Sequence, residues 1–409
     1  MPKLKIAIDF RFEDPRQGVG TAVLSLAHGL SRLDGADQDY IFLVYEHMVD
    51  WLSPHISGPC KVVAVPSPRH SKLGALKVAV GKLPLARTIW SLSRSTLSML
   101  PASDGTVESL KCDVVHFPSP MAYTTKIPSI YQPWDLQHCH FPQFFSKDDV
   151  RMLELLYRGF CKQARFVCIQ TEWGKRDLIA QYGIEPEKIE VIRWGSAFEA
   201  YTVPSETEIQ QVKEELGLPS VYFVYPAVTW PHKNHESVIR SLAVMKQRNG
   251  AAVDVFFTGK TTDFRANLEK LAAALGVDDK VHFLGFVTPK QLQAIFHLAA
   301  AMIFPSKFEG LGLPLLEAFR AGLPVACSAA TVLPEVAGDA AIFFDPDSHD
   351  DIATAMETLL HSPSLRSQLI ARGRIALQKY SADATAQKFA ELYERTARHA
   401  LLDSKSGSN

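Results

Sequence analysis

Phe304-Pro305-Ser306-Lys307-Phe308-Glu309-Gly310-Leu311-Gly312-Leu313-Pro314-Leu315-Leu316-Glu317-Ala318-Phe319 is the stretch that decides the fold. The apolar run closing on Phe304 reads as a buried strand, Gly310 and Gly312 allow a tight turn, and Pro314 suits the first position of a helix. Strand, turn and helix in that order present backbone N–H groups and a positive helix end to whatever sits above the sheet. The natural guest of such a site is a phosphate. Glu309 and Glu317 would be repelled by a phosphate unless they addressed something else, and hydroxyl groups are what ionised acceptors grip without a charge clash. A ligand carrying phosphates and sugar hydroxyls satisfies both halves of the motif.

Working outward, short β-branched runs alternate with helical patterns, the signature of an α/β chain with parallel sheets covered on both faces. One series of strands is expected at residues 5–9, 41–45, 61–65, 114–116, 166–170 and 189–192. A second is expected at 222–227, 252–258, 280–284, 301–304, 324–328 and 341–344, after the polar stretch Pro204-Ser205-Glu206-Thr207-Glu208. Two doubly wound, Rossmann-like domains facing each other across a ligand-binding cleft follow from this, with boundaries at 1–200 and 201–380. A last helical pattern covers 381–402, and Asp403 to Asn409 reads as a frayed tail.

The composition excludes several classes. The 409 residues suffice for about two domains, and 47% hydrophobic with 21% charged residues and a formal net charge of −1 describe an ordinary globular protein with no bulk affinity for nucleic acid. The six cysteines, Cys60, Cys112, Cys139, Cys161, Cys168 and Cys327, form no C-x-x-C pair and read as reduced thiols, without a metal cluster. No secretory stretch and no run of 18 apolar residues occurs, so a cytoplasmic protein that does not span the membrane is expected.

The pair Glu309 and Glu317, with seven residues between them, resembles the Glu-x7-Glu motif of the retaining family 4 glycosyltransferases, also called glycosyl transferases group 1, of the GT-B fold. Gly322-Leu323-Pro324-Val325 and Leu333-Pro334-Glu335-Val336-Ala337-Gly338-Asp339-Ala340-Ala341 fit the same pattern. The resemblance implies transfer of a sugar, with retention of configuration, from a nucleoside-diphosphate sugar such as a UDP-sugar or GDP-sugar to a hydroxyl of a glycan or lipid-linked acceptor. Cell-surface polysaccharide or lipopolysaccharide synthesis is the commonest setting of such enzymes. It further implies that Glu317 holds the ribose diol, that Glu309 addresses the donor sugar, that the backbone of Gly310, Leu311, Gly312 and Leu313 lines the site, and that the C-terminal helix packs back on the first domain.

Other segments match the same family. Pro231-His232-Lys233-Asn234 follows a strand, and Lys233 corresponds to the lysine that stabilises the departing diphosphate. Many relatives carry an arginine six residues earlier, where this chain has Ala227, so Arg193 or Arg11 would have to compensate. The first βα loop carries Gly18 and Gly20 and resembles the loop lying over the donor diphosphate, although a tight connection alone would also need glycines. Phe286 is a candidate for the wall of the base pocket. In Trp134-Asp135-Leu136-Gln137-His138-Cys139-His140, similar to the family's His-Asp-Leu segment, Trp134 replaces the usual histidine. Asp135 and His138 remain catalytic candidates beside His140. His116 reads equally as core or cleft, and Thr171-Glu172 as a ligand pair or a helix cap.

No cofactor or metal is expected. Asp37-Gln38-Asp39 and Asp345-Pro346-Asp347 match the Asp-x-Asp triad of metal-dependent transferases, but the first reads as a polar loop and the second as a turn capping the helix from Ser348. From Trp51 to Ser103 no acidic residue occurs, while Lys61, Arg69, Lys72, Lys77, Lys82, Arg87 and Arg94 stand among apolar residues. Such a basic amphipathic face suits the inner leaflet of an anionic membrane, and equally an ordinary solvated helix. Two rivals are weighed: a catalytically silent nucleotide-sugar-binding subunit of the same fold, favoured by Trp134 and Ala227, and a nicotinamide dehydrogenase, disfavoured because Val23 stands where a third glycine belongs.

Overall fold

The computed structural model describes residues 3–12, 18–33, 37–67 and 100–406. They form two compact units, one reaching to Gly195 and including the helix from Ala382, the other running from Ser196 to Ser381.

In the first unit seven parallel strands form one sheet: β1 (Leu4–Asp9), β2 (Gln38–Tyr45), β3 (Cys60–Val65), β4 (Val114–Phe117), β5 (Ser129–Tyr131), β6 (Phe166–Ile169) and β7 (Ile189–Val191), in spatial order 3-2-1-4-5-6-7. The order reverses between β1 and β4, which are paired in register from Ile6 opposite Val114. Central strands are apolar throughout because helices cover both faces: Ile6, Ala7, Ile8, Val114 and Val115 are fully buried. Each of the isoleucine and valine side chains contributes about 1.5–3 kcal/mol by leaving water. β5 has only three residues, between Pro128 and Pro133, and carries no pattern of its own. It exists because β4 and β6 supply partners on both sides.

The helix Ala382–Ser406 lies against this unit. Gly29, in the helix Gly18–Leu30, permits the approach, since a Cβ there would stand 2.2 Å from the Ala382 carbonyl oxygen. Gln38 Nε2 donates to the Ala390 carbonyl across 3.1 Å, and His116 Nδ1 meets the Tyr393 hydroxyl at 2.9 Å. His116 is therefore a core residue, fully buried and stacked on Phe389. The helix runs on through Asp403 to Ser406, where a frayed tail was expected.

The second unit has six parallel strands: β8 (Tyr222–Pro226), β9 (Asp254–Thr258), β10 (Val281–Gly285), β11 (Ala301–Phe304), β12 (Val325–Ser328) and β13 (Ala341–Phe344), in spatial order 10-9-8-11-12-13. Here the reversal falls between β8 and β11, the place where open α/β sheets bind ligands beyond their strands' carboxyl ends.

Two further sequence expectations change. Gly18 and Gly20 belong to the first turn of the helix Gly18–Leu30 rather than to a loop. Gln38 and Asp39 lie inside β2 and not in a polar loop, because Leu4 and Lys5 of β1 supply the pairing. Of the basic stretch, Arg69, Lys72, Lys77, Lys82, Arg87 and Arg94 lie outside the described residues. Among the described residues no helix is long and apolar enough to cross a membrane.

Candidate active site

The site of the second unit is built where β8 and β11 end. After β8 the chain makes a single 3-10 turn, Pro231–Lys233, and Asn234 adopts a left-handed conformation, φ +62°, before the helix His235–Asn249 begins. Asparagine tolerates that region better than other side chains. Its side chain also binds the turn to the rest of the site: Nδ2 donates to the carbonyls of Pro305 at 3.1 Å and Pro346 at 2.8 Å, while Oδ1 accepts from Ser237. Tyr225 donates its hydroxyl to the Lys233 carbonyl at 2.8 Å, and Lys307 N donates to the His232 carbonyl at 2.9 Å. Lys233 is thus held from β8, from β11 and from the turn after β13.

The turn after β11 supplies its counterpart. Glu309 is buried, 9% exposed, and its Oε1 lies 2.6 Å from the ammonium of Lys233. Thr331 grips the backbone of Glu309, with its Oγ1 3.3 Å from the amide nitrogen and 3.4 Å from the carbonyl oxygen. Thr331 does so at φ +51°, a strained conformation for a β-branched residue that persists only where surrounding structure imposes it. No signal in the sequence marked Thr331.

Gly312, at φ +78°, precedes the helix Leu313–Ala321, which carries no side-chain cap. A Cβ on Gly312 would also meet Leu333 at 2.8 Å. Gly310, by contrast, does not need a left-handed conformation. Pro314 is the second helical residue, not the first. One turn into the helix, Glu317 is 8% exposed, and among the described residues no donor pairs its carboxylate. Burial pushes its pKa up to about 7. His232 and His235 are buried as well, and desolvation lowers both to about 3, leaving neutral rings that pack against Trp230 and against Tyr225 and Phe257 respectively. Phe286, 54% exposed, follows Gly285 at the end of β10.

The arrangement therefore offers one cation, one carboxylate paired with it, one unpaired buried carboxylate, and an uncapped helix N-terminus, all within the second unit. Comparison with known proteins fits it. Residues 206–376 match the family model described as glycosyl transferases group 1. This segment belongs to that family.

Among relatives of this chain, the O-antigen chain mannosyltransferase B of Escherichia coli is 25% identical over 241 residues, 59% of this chain and 63% of that protein. The O-antigen chain mannosyltransferase RfbU of Salmonella typhimurium is 27% identical over 236 residues, covering 57% and 61%. The matches thus span about three fifths of the length of these curated relatives. A solved structure of Anabaena Alr3699/HepE in complex with UDP and glucose matches with a TM-score of 0.68 at 18% identity, over 96% of this chain and all of that one. The likeness establishes the GT-B fold.

The candidates of the first unit are placed differently. Asp135 is half-buried and its Oδ1 accepts from Gln137 N at 3.0 Å, an Asx turn opening the helix Gln137–His140. His138, expected to serve catalysis, is 2% exposed, with Nε2 at 3.0 Å from both Glu154 Oε1 and the Tyr182 hydroxyl. A ring so enclosed joins neighbouring helices rather than meeting substrate. His140 pairs with Asp177 at 2.8 Å. Trp134 sits at φ +71° and is buried, its indole donating to the Pro118 carbonyl at 2.8 Å and packing against Trp194 at 5.4 Å.

Arg11 does not stand free to replace the clamp missing at Ala227. Its Nε and Nη2 reach the two oxygens of Asp9 at 2.9 and 2.7 Å, and Nη1 is taken by Asp104. Thr171 caps the helix Glu172–Tyr182 by accepting from Gly174 N at 3.1 Å. In the second Asp-x-Asp, Asp345 Oδ1 accepts from Asp347 N at 2.9 Å, Asp347 pairs with Lys307, and Ser348 caps the following helix.

Proposed function

We propose that this protein is a retaining, metal-independent family 4 glycosyltransferase that moves a sugar from a nucleoside-diphosphate sugar to a hydroxyl of a glycan or lipid-linked acceptor. The observation that carries the reading is the Lys233–Glu309 pair at the reversal of the second sheet, with buried Glu317 beside it. The named activities of the O-antigen relatives support a place in polysaccharide or lipopolysaccharide assembly, and the UDP and glucose bound by the Anabaena protein support a nucleotide-sugar donor.

In this mechanism the helix N-terminus at Leu313 and the ammonium of Lys233 stabilise charge growing on the departing diphosphate. Gly18 and Gly20 lie over the diphosphate. Glu317 accepts from the ribose diol, Glu309 from donor-sugar hydroxyls, and Phe286 lines the base pocket, with the backbone from Gly310 to Leu313 completing the cradle. The acceptor hydroxyl attacks the face that the leaving group vacates, with a phosphate oxygen as base and Asp135 as the first unit's remaining catalytic candidate. No cofactor takes part, and the protein works in the cytoplasm at the inner membrane face. Binding of UDP, GDP, ADP and CMP, followed by calorimetry with and without magnesium, tests the reading. Tight, metal-independent binding of one diphosphate that is lost in Glu317→Ala is expected, and no binding of any of them overturns it. A silent subunit is the second reading, favoured by the buried Trp134 where relatives carry a polar residue; it predicts binding without turnover.

A further inference from the structure

Four unlike donor atoms converge in the first unit, outside the site just described. His138 and Cys139 stand on the short helix Gln137–His140, Glu154 on the helix Lys147–Gln163, and Tyr182 ends the helix Glu172–Tyr182. His138 Nε2 lies 3.0 Å from Glu154 Oε1, 3.0 Å from the Tyr182 hydroxyl and 3.6 Å from Cys139 Sγ. Glu154 Oε1 lies 2.9 Å from the Tyr182 hydroxyl and 3.2 Å from Cys139 Sγ, and that sulfur lies 4.0 Å from the hydroxyl. These six separations are the edges of a tetrahedron. Around a zinc ion with bonds of about 2.0–2.3 Å, a regular tetrahedron has edges of about 3.3–3.8 Å. The observed edges bracket that range, and the two longest both end on sulfur, whose bonds to zinc are the longest.

The chemistry of the set agrees with its shape. One nitrogen, one thiol sulfur and two oxygens suit a borderline-soft divalent ion better than magnesium or calcium, which take oxygen ligands. On binding, Cys139 releases its proton to solvent, so that its thiolate and the Glu154 carboxylate neutralise the dication while Tyr182 binds through its neutral hydroxyl oxygen. Arg158 Nε donates to the other carboxylate oxygen of Glu154 at 2.8 Å, which leaves Oε1 turned to the three partners, as outer-shell donors do for metal-bound carboxylates. The guanidinium also lies over the Tyr182 ring, 4.2 Å from its centroid.

We propose that His138, Cys139, Glu154 and Tyr182 form a structural site for zinc or a similar divalent ion that pins three helices of the first unit together. With four protein ligands it keeps no open position for water, so it takes no part in bond making. Its effect falls on the segment that begins with Trp134 and Asp135, whose course it would hold in place.

The test uses the whole protein, stripped with a chelator and refilled with Zn2+ or Co2+. One equivalent of bound metal, a thiolate-to-cobalt charge-transfer band in the near ultraviolet, and a rise in Tm on adding Zn2+ are expected. Cys139→Ser should abolish the band and weaken binding by more than about 100-fold, the upper end of what loss of a mere outer-shell partner does. Tyr182→Phe should weaken binding while keeping the band. The cobalt spectrum of the unaltered protein decides even if a variant fails to fold: absence of the band, or stoichiometric binding that Cys139→Ser leaves unchanged, overturns the proposal.

Discussion

Lys233 and Glu309, which meet at 2.6 Å, come from turns that follow two adjacent strands of one sheet, β8 and β11. Both side chains are largely shielded, 19% and 10% exposed, so neither charge is well hydrated and each depends on the other. On the proposed function, a donor diphosphate arriving at this pair would exchange one anionic partner of the lysine for another. The site is thus charge-balanced before the ligand arrives.

Lys233→Ala is expected to reduce kcat by about 100-fold or more, since it removes the cation facing the leaving group. It should also destabilise the fold, because truncating one partner of a shielded pair costs about 3–5 kcal/mol by leaving the other charge unpaired. Adding Glu309→Gln should recover part of that stability and none of the turnover. Urea denaturation of the single and double variants, read beside steady-state rates, separates the two effects. A fully active Lys233→Ala would remove the lysine from the mechanism.

Glu317 links stability to pH. Burial raises its pKa to about 7, above the ordinary carboxyl value of 4.5, so between those two values the folded state binds the proton more tightly than the unfolded state does. Stability therefore falls as pH rises through that window, by a total of about 3 kcal/mol. Glu317→Gln should flatten this part of the profile and be the more stable protein at pH 8, while losing nucleotide binding. Denaturation at a series of pH values checks the slope, and an unchanged slope in the variant would place the burial penalty elsewhere.

Asn234 combines a left-handed backbone with two carbonyl partners. Asn234→Ala loses both and adds about 1–2 kcal/mol of backbone strain. Asn234→Gly keeps the conformation and loses only the hydrogen bonds, each worth about 1 kcal/mol. Alanine should therefore be the worse replacement in chemical denaturation, and both should raise the KM for the donor, since the turn they loosen carries Lys233.

The basic stretch between Trp51 and Ser103 is expected to bind vesicles rich in anionic lipid, each basic residue adding about 1 kcal/mol near the surface. Co-sedimentation at low salt should show binding that rising salt releases. Lack of binding at low salt would leave an ordinary solvated face.

Much of the fold was legible because strands of a two-sided parallel sheet are locally continuous apolar runs. Twelve of the strands, β5 apart, fall within a few residues of where their patterns put them. In the second unit the carboxylates, the lysine and Gly312 were legible too, because turn glycines and charged residues at strand ends are local signals. Thr331 was not, since the backbone its hydroxyl meets belongs to Glu309, 22 residues away. Nor was the fate of His138, whose burial depends on helices contributing Glu154 and Tyr182.

The chain by itself thus determined its class and its two Rossmann-like series, because periodicity, turn chemistry and helix starts are properties of neighbouring residues. Only the tertiary structure decided which charges meet, which histidines are buried, that Ser129–Tyr131 is a strand, and that Gly18 and Gly20 open a helix. Pairing, desolvation and strand addition are set by groups far apart in sequence, and no local pattern encodes which of them will come within 3 Å of one another.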